Sequence, residues 1–258
     1  MEEIVITTFK ELHDFSMKWV NGELKDNIVV VGDGGLGKSY AVRDIPDVLR
    51  FDGHMTPFRA FQLGYEQPHY NIIWDDMDDI FKNKQMVKLL KQFCELHSPK
   101  SISFGTTRQC EAEDNYDFYG YNMVILNDLR KVGNNLKALM TRFLVVRFVP
   151  SRLEVMRQLR TFAKEKDVLS EMSRWMSLLR QFNFRMYIHL ERMKLAKMNW
   201  KDYFYKGINP RFAEMNHLLS KYKSDKERIK HYSGGKTQYY YWKKKFGGIN
   251  DENKGSED

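Results

Sequence analysis

Residues 27–39 read Asn-Ile-Val-Val-Val-Gly-Asp-Gly-Gly-Leu-Gly-Lys-Ser, and this stretch decides the fold. The β-branched run Ile28–Val31 predicts a short buried strand. Gly32 to Ser39 then matches GxxxxGK[ST], the phosphate-binding loop, in the strand-to-helix setting that the motif requires. Its glycines let the backbone turn with N–H groups pointing inward at phosphate oxygens. Gly32, Asp33, Gly34, Gly35, Leu36, Gly37, Lys38 and Ser39 are therefore expected to hold a nucleoside triphosphate, with Lys38 at the outer phosphates and Ser39 on Mg2+. A helix is expected from Lys38 to about Leu49.

Downstream, Ile72-Ile-Trp-Asp75-Asp76 is an apolar strand ending in two carboxylates, as metal-assisted phosphoryl transfer requires. Asp75 is expected to hold magnesium, directly or through water. Asp76 stands where a base would polarise the attacking water. Asp78 and Asp79 compete for that role but suit a turn and a helix N-cap better. No NKxD guanine motif appears and the acidic strand lacks DxxG, so ATP with Mg2+ is the expected cofactor pair.

Around these motifs strands alternate with helices. Thr8-Phe-Lys-Glu11 fits a capping box, and Phe9, Leu12, Phe15 and Trp19 recur at helical spacing before Asn21-Gly22. Met86, Leu90, Phe93 and His97 mark another helix. Ser101–Phe104, Met123–Leu126 and Phe143–Val146 read as further strands, and residues 104–122 as an irregular or hairpin insertion. The alternation predicts an α/β fold with a parallel sheet. Beyond Pro150 the period becomes helical, with stripes at 153, 156, 159, 163 and at 169, 172, 176, 179. The expected domains are 1–150, nucleotide-binding; 151–206, helical; 207–248, basic and helical; and 249–258, an acidic tail.

Composition bounds the class. The chain has 258 residues, 42% hydrophobic and 29% charged, enough for one or two cores. Its two cysteines, Cys94 and Cys110, make no disulfide framework or zinc ribbon, which suggests a reducing, intracellular compartment. No apolar run approaches a membrane span, so no membrane partner is expected. The start MEEIVITTF lacks the positive region of a secretory signal and is read as mature sequence. His54, His97 and His189 have no metal-ligand spacing.

Taken together, GDGGLGKS, IIWDDMDD, VILND and ALMTRF resemble, in order and spacing, the Walker A, Walker B, sensor 1 and arginine-finger elements of AAA+ ATPases. The paired-Asp strand end is similar to that of DnaA-like initiators, and the short chain resembles the small AAA+ proteins of phages and mobile elements. The resemblance covers about residues 5–200. It implies a P-loop NTPase parallel sheet followed by a small helical lid, and a homo-oligomer, ring or helical filament, with active sites shared between subunits. It also implies Asn127 as sensor 1 orienting water. Arg142 would be presented to a neighbouring subunit's nucleotide, with Arg147 as a fallback better suited to a structural ion pair. Arg185 would be the sensor 2 arginine of the lid, Arg180 and Arg211 being poorer alternatives.

Charge is concentrated at the C-terminal end. Residues 194–248 hold 12 Lys and 2 Arg against four acids, a local excess of ten on a chain whose net charge is +8. Clustered cations replace the counterions of nucleic acid, so DNA is the expected partner. Phe212, Met215, Leu219 and Tyr222 mark one helix, Ser224 caps a second, and Thr237 is expected to cap a third after the Ser233-Gly-Gly235 turn. Three short helices in this order resemble a helix-turn-helix segment. Thr237 and Gln238 would face bases, and Lys243, Lys244 and Lys245 phosphates.

These expectations converge on a DNA-associated ATPase, cytoplasmic or in a host's cytoplasm if viral, acting in replication initiation or helicase loading. The alternative is an ATP-dependent oligomeric switch that hydrolyses little and recruits a protein such as a transposase or helicase.

Overall fold

The computed structural model describes residues 3–76, 83–105, 113–129, 137–179 and 181–252. Asp78, Asp79, Arg108, Cys110, Leu136, Arg180 and the tail from 253 lie outside the described residues. The chain divides into two units, Met1–Glu154 and Val155–Asp258.

The first unit runs β1 (Glu3–Ile6), α1 (Phe9–Val20), β2 (Ile28–Val31), α2 (Lys38–Ala41), β3 (Val48–Asp52), α3 (Pro57–Glu66), β4 (Asn71–Asp75), α4 (Lys84–Phe93), β5 (Lys100–Ser103), β6 (Asn115–Phe118), β7 (Asn122–Leu126), α5 (Lys137–Met140) and β8 (Leu144–Phe148). Among the described residues six strands form one sheet in the order β1-β8-β2-β7-β4-β3, every pair parallel. Parallel strands need crossovers, and the helices between them supply these. All residues of β2 and β7 are buried, as central strands covered on both faces must be. This is the expected α/β P-loop sheet. After β2 the chain skips two places to β3 and later returns through β7. The carboxyl end of β2 therefore lies at a switch point, where open α/β sheets bind ligands.

α1 forms where its capping box predicts. The Thr8 hydroxyl accepts from the Glu11 N–H at 3.1 Å, and the Glu11 carboxylate accepts from the Thr8 N–H at 3.1 Å. Phe9, Leu12 and Trp19 are buried beneath it. A polar network in the core fixes the far end of α4 to the sheet. The Asn122 amide donates to the Phe93 carbonyl at 2.7 Å and its oxygen accepts from the Trp74 indole at 2.9 Å, while the Asn27 amide donates to the Cys94 carbonyl at 3.1 Å.

Three expectations need correction. The helix after the phosphate loop ends at Ala41 and does not reach Leu49. Pro46 disfavours helical backbone at Ile45, Asp47 turns at φ 52°, and Val48–Asp52 instead completes the sheet beside β4. The strand near Ser101 is not in the main sheet. β5 pairs antiparallel with β6, so the insertion is a hairpin. Lys100 anchors it from a fully buried position, donating to the Gly120 carbonyl with its ammonium 4.3 Å from the Tyr121 ring centre. Finally, the α4 stripe stops at Phe93, and His97 lies exposed beyond the helix.

The second unit continues α6 (Arg152–Phe162), α7 (Lys166–Arg174), α8 (Phe184–Leu195), α9 (Trp200–Ile208), α10 (Pro210–Lys221), α11 (Asp225–His231) and α12 (Lys236–Glu252). Leu153, expected in an apolar stripe, is 67% exposed, and Val155, Met156 and Leu159 are the buried apolar residues of α6. Trp175 is the hub of this unit. Its ring meets Tyr205 of α9 at 5.7 Å and Phe212 of α10 at 5.3 Å, and Phe212 in turn meets Trp242 of α12 edge-on at 5.7 Å. Helices on both sides of residue 207 thus share one aromatic core. Among the described residues no helix is long and apolar enough to cross a membrane.

Candidate functional site

The phosphate loop takes its shape from three close constraints. Gly35 and Gly37 hold φ 79° and 84°, the left-handed backbone that glycine adopts without steric cost. At Gly32 a side chain is excluded, because an added Cβ would lie 2.4 Å from the Phe148 carbonyl oxygen. Lys38 is 6% exposed, and its ammonium donates to the carbonyls of Gly32 at 2.6 Å and Asp33 at 3.0 Å and to the Asn127 side-chain oxygen at 3.0 Å. Gly37, the residue before α2, supplies no side-chain cap to that helix. With only four residues α2 has a small dipole, so phosphate attraction would rest mainly on the loop N–H groups and Lys38.

Sheet order brings the acidic strand end to this loop. β7 lies between β2 and β4, so Asn127, just past β7, stands between Lys38 and Asp75. The Ser39 hydroxyl stands beside the Asp75 carboxylate and favours its ionised form. Burial pushes the Asp75 carboxyl above its ordinary range, and the neighbouring charges of Asp52 and Asp76 add to that; the bonds from Ser39 and from the Asp76 N–H oppose it. Hydroxyl and carboxylate oxygens are the hard donors that Mg2+ takes together with phosphate oxygens, so the pair fits the cation. Among the described residues no cluster of three or more His, Cys, Asp or Glu could hold a metal by itself. Asp76 follows at φ 50° and is exposed, a left-handed turn that Asp tolerates better than most residues.

Sequence reading missed Asp52. It pairs in register with Asp75 across β3 and β4, and one residue earlier Phe51 packs its ring 4.6 Å from that of Trp74. Side chains alternate between faces along a strand. Asp52 therefore shares the face of Asp75, opposite the Phe51–Trp74 core contact. The signals that could have found it were Pro46, which disfavours helix at Ile45, and the apolar alternation of Leu-Arg-Phe-Asp.

The arginines are placed differently. Arg142 follows α5, and its guanidinium is bonded to Glu95 at 2.9 Å and to the Lys91 carbonyl at the end of α4. Arg147 makes two parallel bonds to Glu3, at 2.7 and 2.8 Å, tying β8 to β1. Arg185 is exposed in the first turn of α8, which Asn183 caps by accepting from the Met186 N–H at 2.9 Å.

In the C-terminal helices Ser224 caps α11 as expected. Thr237 does not cap α12: the helix starts at Lys236, so Thr237 lies inside its first turn. Thr237 and Gln238 are exposed, the Gln238 side chain standing against Gly234. The three lysines are not equivalent. Lys243 pairs with Asp225 at 2.6 Å, and Asp225 also accepts from Tyr239 at 2.8 Å and Arg228 at 3.0 Å. Hydrogen bonds from Lys243 and Tyr239 foremost hold the Asp225 carboxyl at about 2. Lys244 and Lys245 are exposed, Lys245 with its ammonium 5.2 Å from the Tyr241 ring centre.

No protein-family model matches the chain, and no curated protein does. Among solved structures it is similar to two mutants of RuvB from Thermotoga maritima, one at 12% identity and a TM-score of 0.47, the other at 13% and 0.45. The likeness covers 82% and 81% of this chain and 69% and 68% of those chains.

Proposed function

We propose that the protein is an ATPase of the AAA+ type that assembles on DNA and couples ATP binding and hydrolysis at subunit interfaces to remodelling it. The observation that carries this reading is the convergence of Lys38, Ser39, Asp75 and Asn127 at the carboxyl ends of three adjacent strands, β2, β4 and β7. In this reading the loop N–H groups and Lys38 bind the phosphates, Ser39 and Asp75 hold magnesium, and Asn127 orients water. Magnesium, when bound, neutralises charge on the phosphate oxygens. Asp76 takes the proton of the attacking water. Arg142 serves the nucleotide of a neighbouring copy, Arg185 senses nucleotide from the lid, and the exposed lysines of α12 contact DNA phosphates. The DNA role is supported by the cationic C-terminal segment, and a place in viral or mobile-element replication, with a helicase as protein partner, fits the paired-Asp strand end.

Magnesium-dependent release of phosphate from ATP tests the reading. Lys38→Ala should cut turnover by about 100-fold or more, the scale of losing one preorganised charge contact. Turnover should rise more than linearly with protein concentration, and mixing Lys38→Ala with Arg142→Ala chains should restore part of it at mixed interfaces. An unchanged Lys38→Ala rate would reject the site. A stable ATP-bound assembly with negligible turnover would favour the recruiting switch.

A further inference from the structure

We propose that Glu95 is a positioning residue for Arg142: a counter-ion that keeps the arginine within its own subunit until phosphate on a neighbouring copy competes for it. The inference rests on the reading of Arg142 as serving another subunit's nucleotide.

The geometry makes the Glu95–Arg142 pair a fixed cradle with one movable part. The cradle is the end of α4, where the Lys91 carbonyl and Glu95 meet the guanidinium. That end is pinned to the sheet through the Phe93 and Cys94 carbonyls, which accept from Asn122 and Asn27. The backbone around Arg142 is pinned as well: its N–H donates to Leu139 at 3.0 Å, and Phe143 and Leu139 on either side are buried. With both backbones pinned, the arginine leaves by rotation of its own side chain.

The energetics favour exchange. The side chains of Arg142 and Glu95 are 27% and 35% exposed, so water screens the pair and its worth is small. The partial negative charge at a helix C-terminus adds a modest attraction for the cation. A terminal phosphate carries more charge than a carboxylate and offers the guanidinium bidentate acceptance. The cradle is thus strong enough to hold the arginine in a lone subunit and weak enough to yield at an assembled interface. Glu95 itself touches no nucleotide in this scheme.

The test is ATP turnover measured across protein concentration for the wild type, Glu95→Gln, Glu95→Asp, Arg142→Ala and the Glu95→Gln/Arg142→Ala double variant, each checked by thermal melting. Glu95→Gln keeps the shape and removes the charge. It should move half-maximal activity to lower concentration, by up to about fivefold for a pair of this exposure, and leave the plateau rate per subunit unchanged. Glu95→Asp should restore the wild-type profile, and the double variant should be as inactive as Arg142→Ala. An unmoved profile, or one moved to higher concentration, with Arg142→Ala inactive, would overturn the role of Glu95 and leave the arginine's role standing. An active Arg142→Ala chain would overturn both.

Discussion

The phosphate loop and the C-terminal lysine run both present cations, and they differ in what surrounds them. Lys38 is buried among acceptors from its own loop and from Asn127. The lysines of α12 divide between structure and surface: Lys243 is committed to Asp225, while Lys244 and Lys245 face solvent. A site built by backbone turns and strand ends assigns each residue one task. A charged helix face assigns tasks by whichever acid folds against it.

The largest expected effect sharpens the contrast between the regions. Phe212→Ala removes the ring that joins Trp175 to Trp242, and should destabilise the second unit by about 3–5 kcal/mol. Denaturant melts followed by tryptophan fluorescence should show this while ATP binding by the first unit persists. For the same reason, deleting residues 208–258 would uncover Trp175 and would not leave the rest of the second unit intact.

Next in size, Asp76→Asn should slow hydrolysis about 100-fold while leaving nucleotide affinity nearly unchanged, because it removes a base and keeps its shape. Single-turnover rates beside equilibrium binding would separate the two, and a normal rate would move the base to another residue, Asp52 among them.

A third prediction concerns the hairpin of the first unit. Burial lowers the Lys100 ammonium to about 8 from 10.5. Between those values the unfolded chain binds a proton that the folded chain has released, so stability should rise with pH across that window, by on the order of 1 kcal/mol per unit. The contribution is complete above 10.5 and absent below about 8. Lys100→Met should flatten the slope.

The smallest effects separate the lysines. Lys244→Ala and Lys245→Ala should each reduce the salt dependence of DNA binding by about one unit of slope and weaken all sequences alike. Lys243→Ala should instead lower the melting temperature of the second unit. Asp225, held at about 2 against an ordinary 3.8, contributes stability above that ordinary value that is lost as pH falls toward 2. Acid should therefore release α12 from α11, and Asp225→Asn should do so at neutral pH.

Local grammar carried most of what the sequence established. The capping box at Thr8 closes within a few residues, and the phosphate loop and the Asp75 strand end show as local motifs, so spacing alone exposed them. So did the alternation that predicted a parallel sheet. Tertiary structure decided the rest. Lys38 to Leu49 reads as helix by residue preference, yet Val48–Asp52 gains more as the strand beside β4, and that register brings in Asp52. Ser101–Phe104 carries a strand signal, but only the pairing of β5 with β6 shows that it lies apart from the main sheet. The partners of Arg142, Arg147 and Lys243 lie 47, 144 and 18 residues away in the chain. An ion pair leaves no periodic trace in sequence, because its geometry exists only after distant segments have packed.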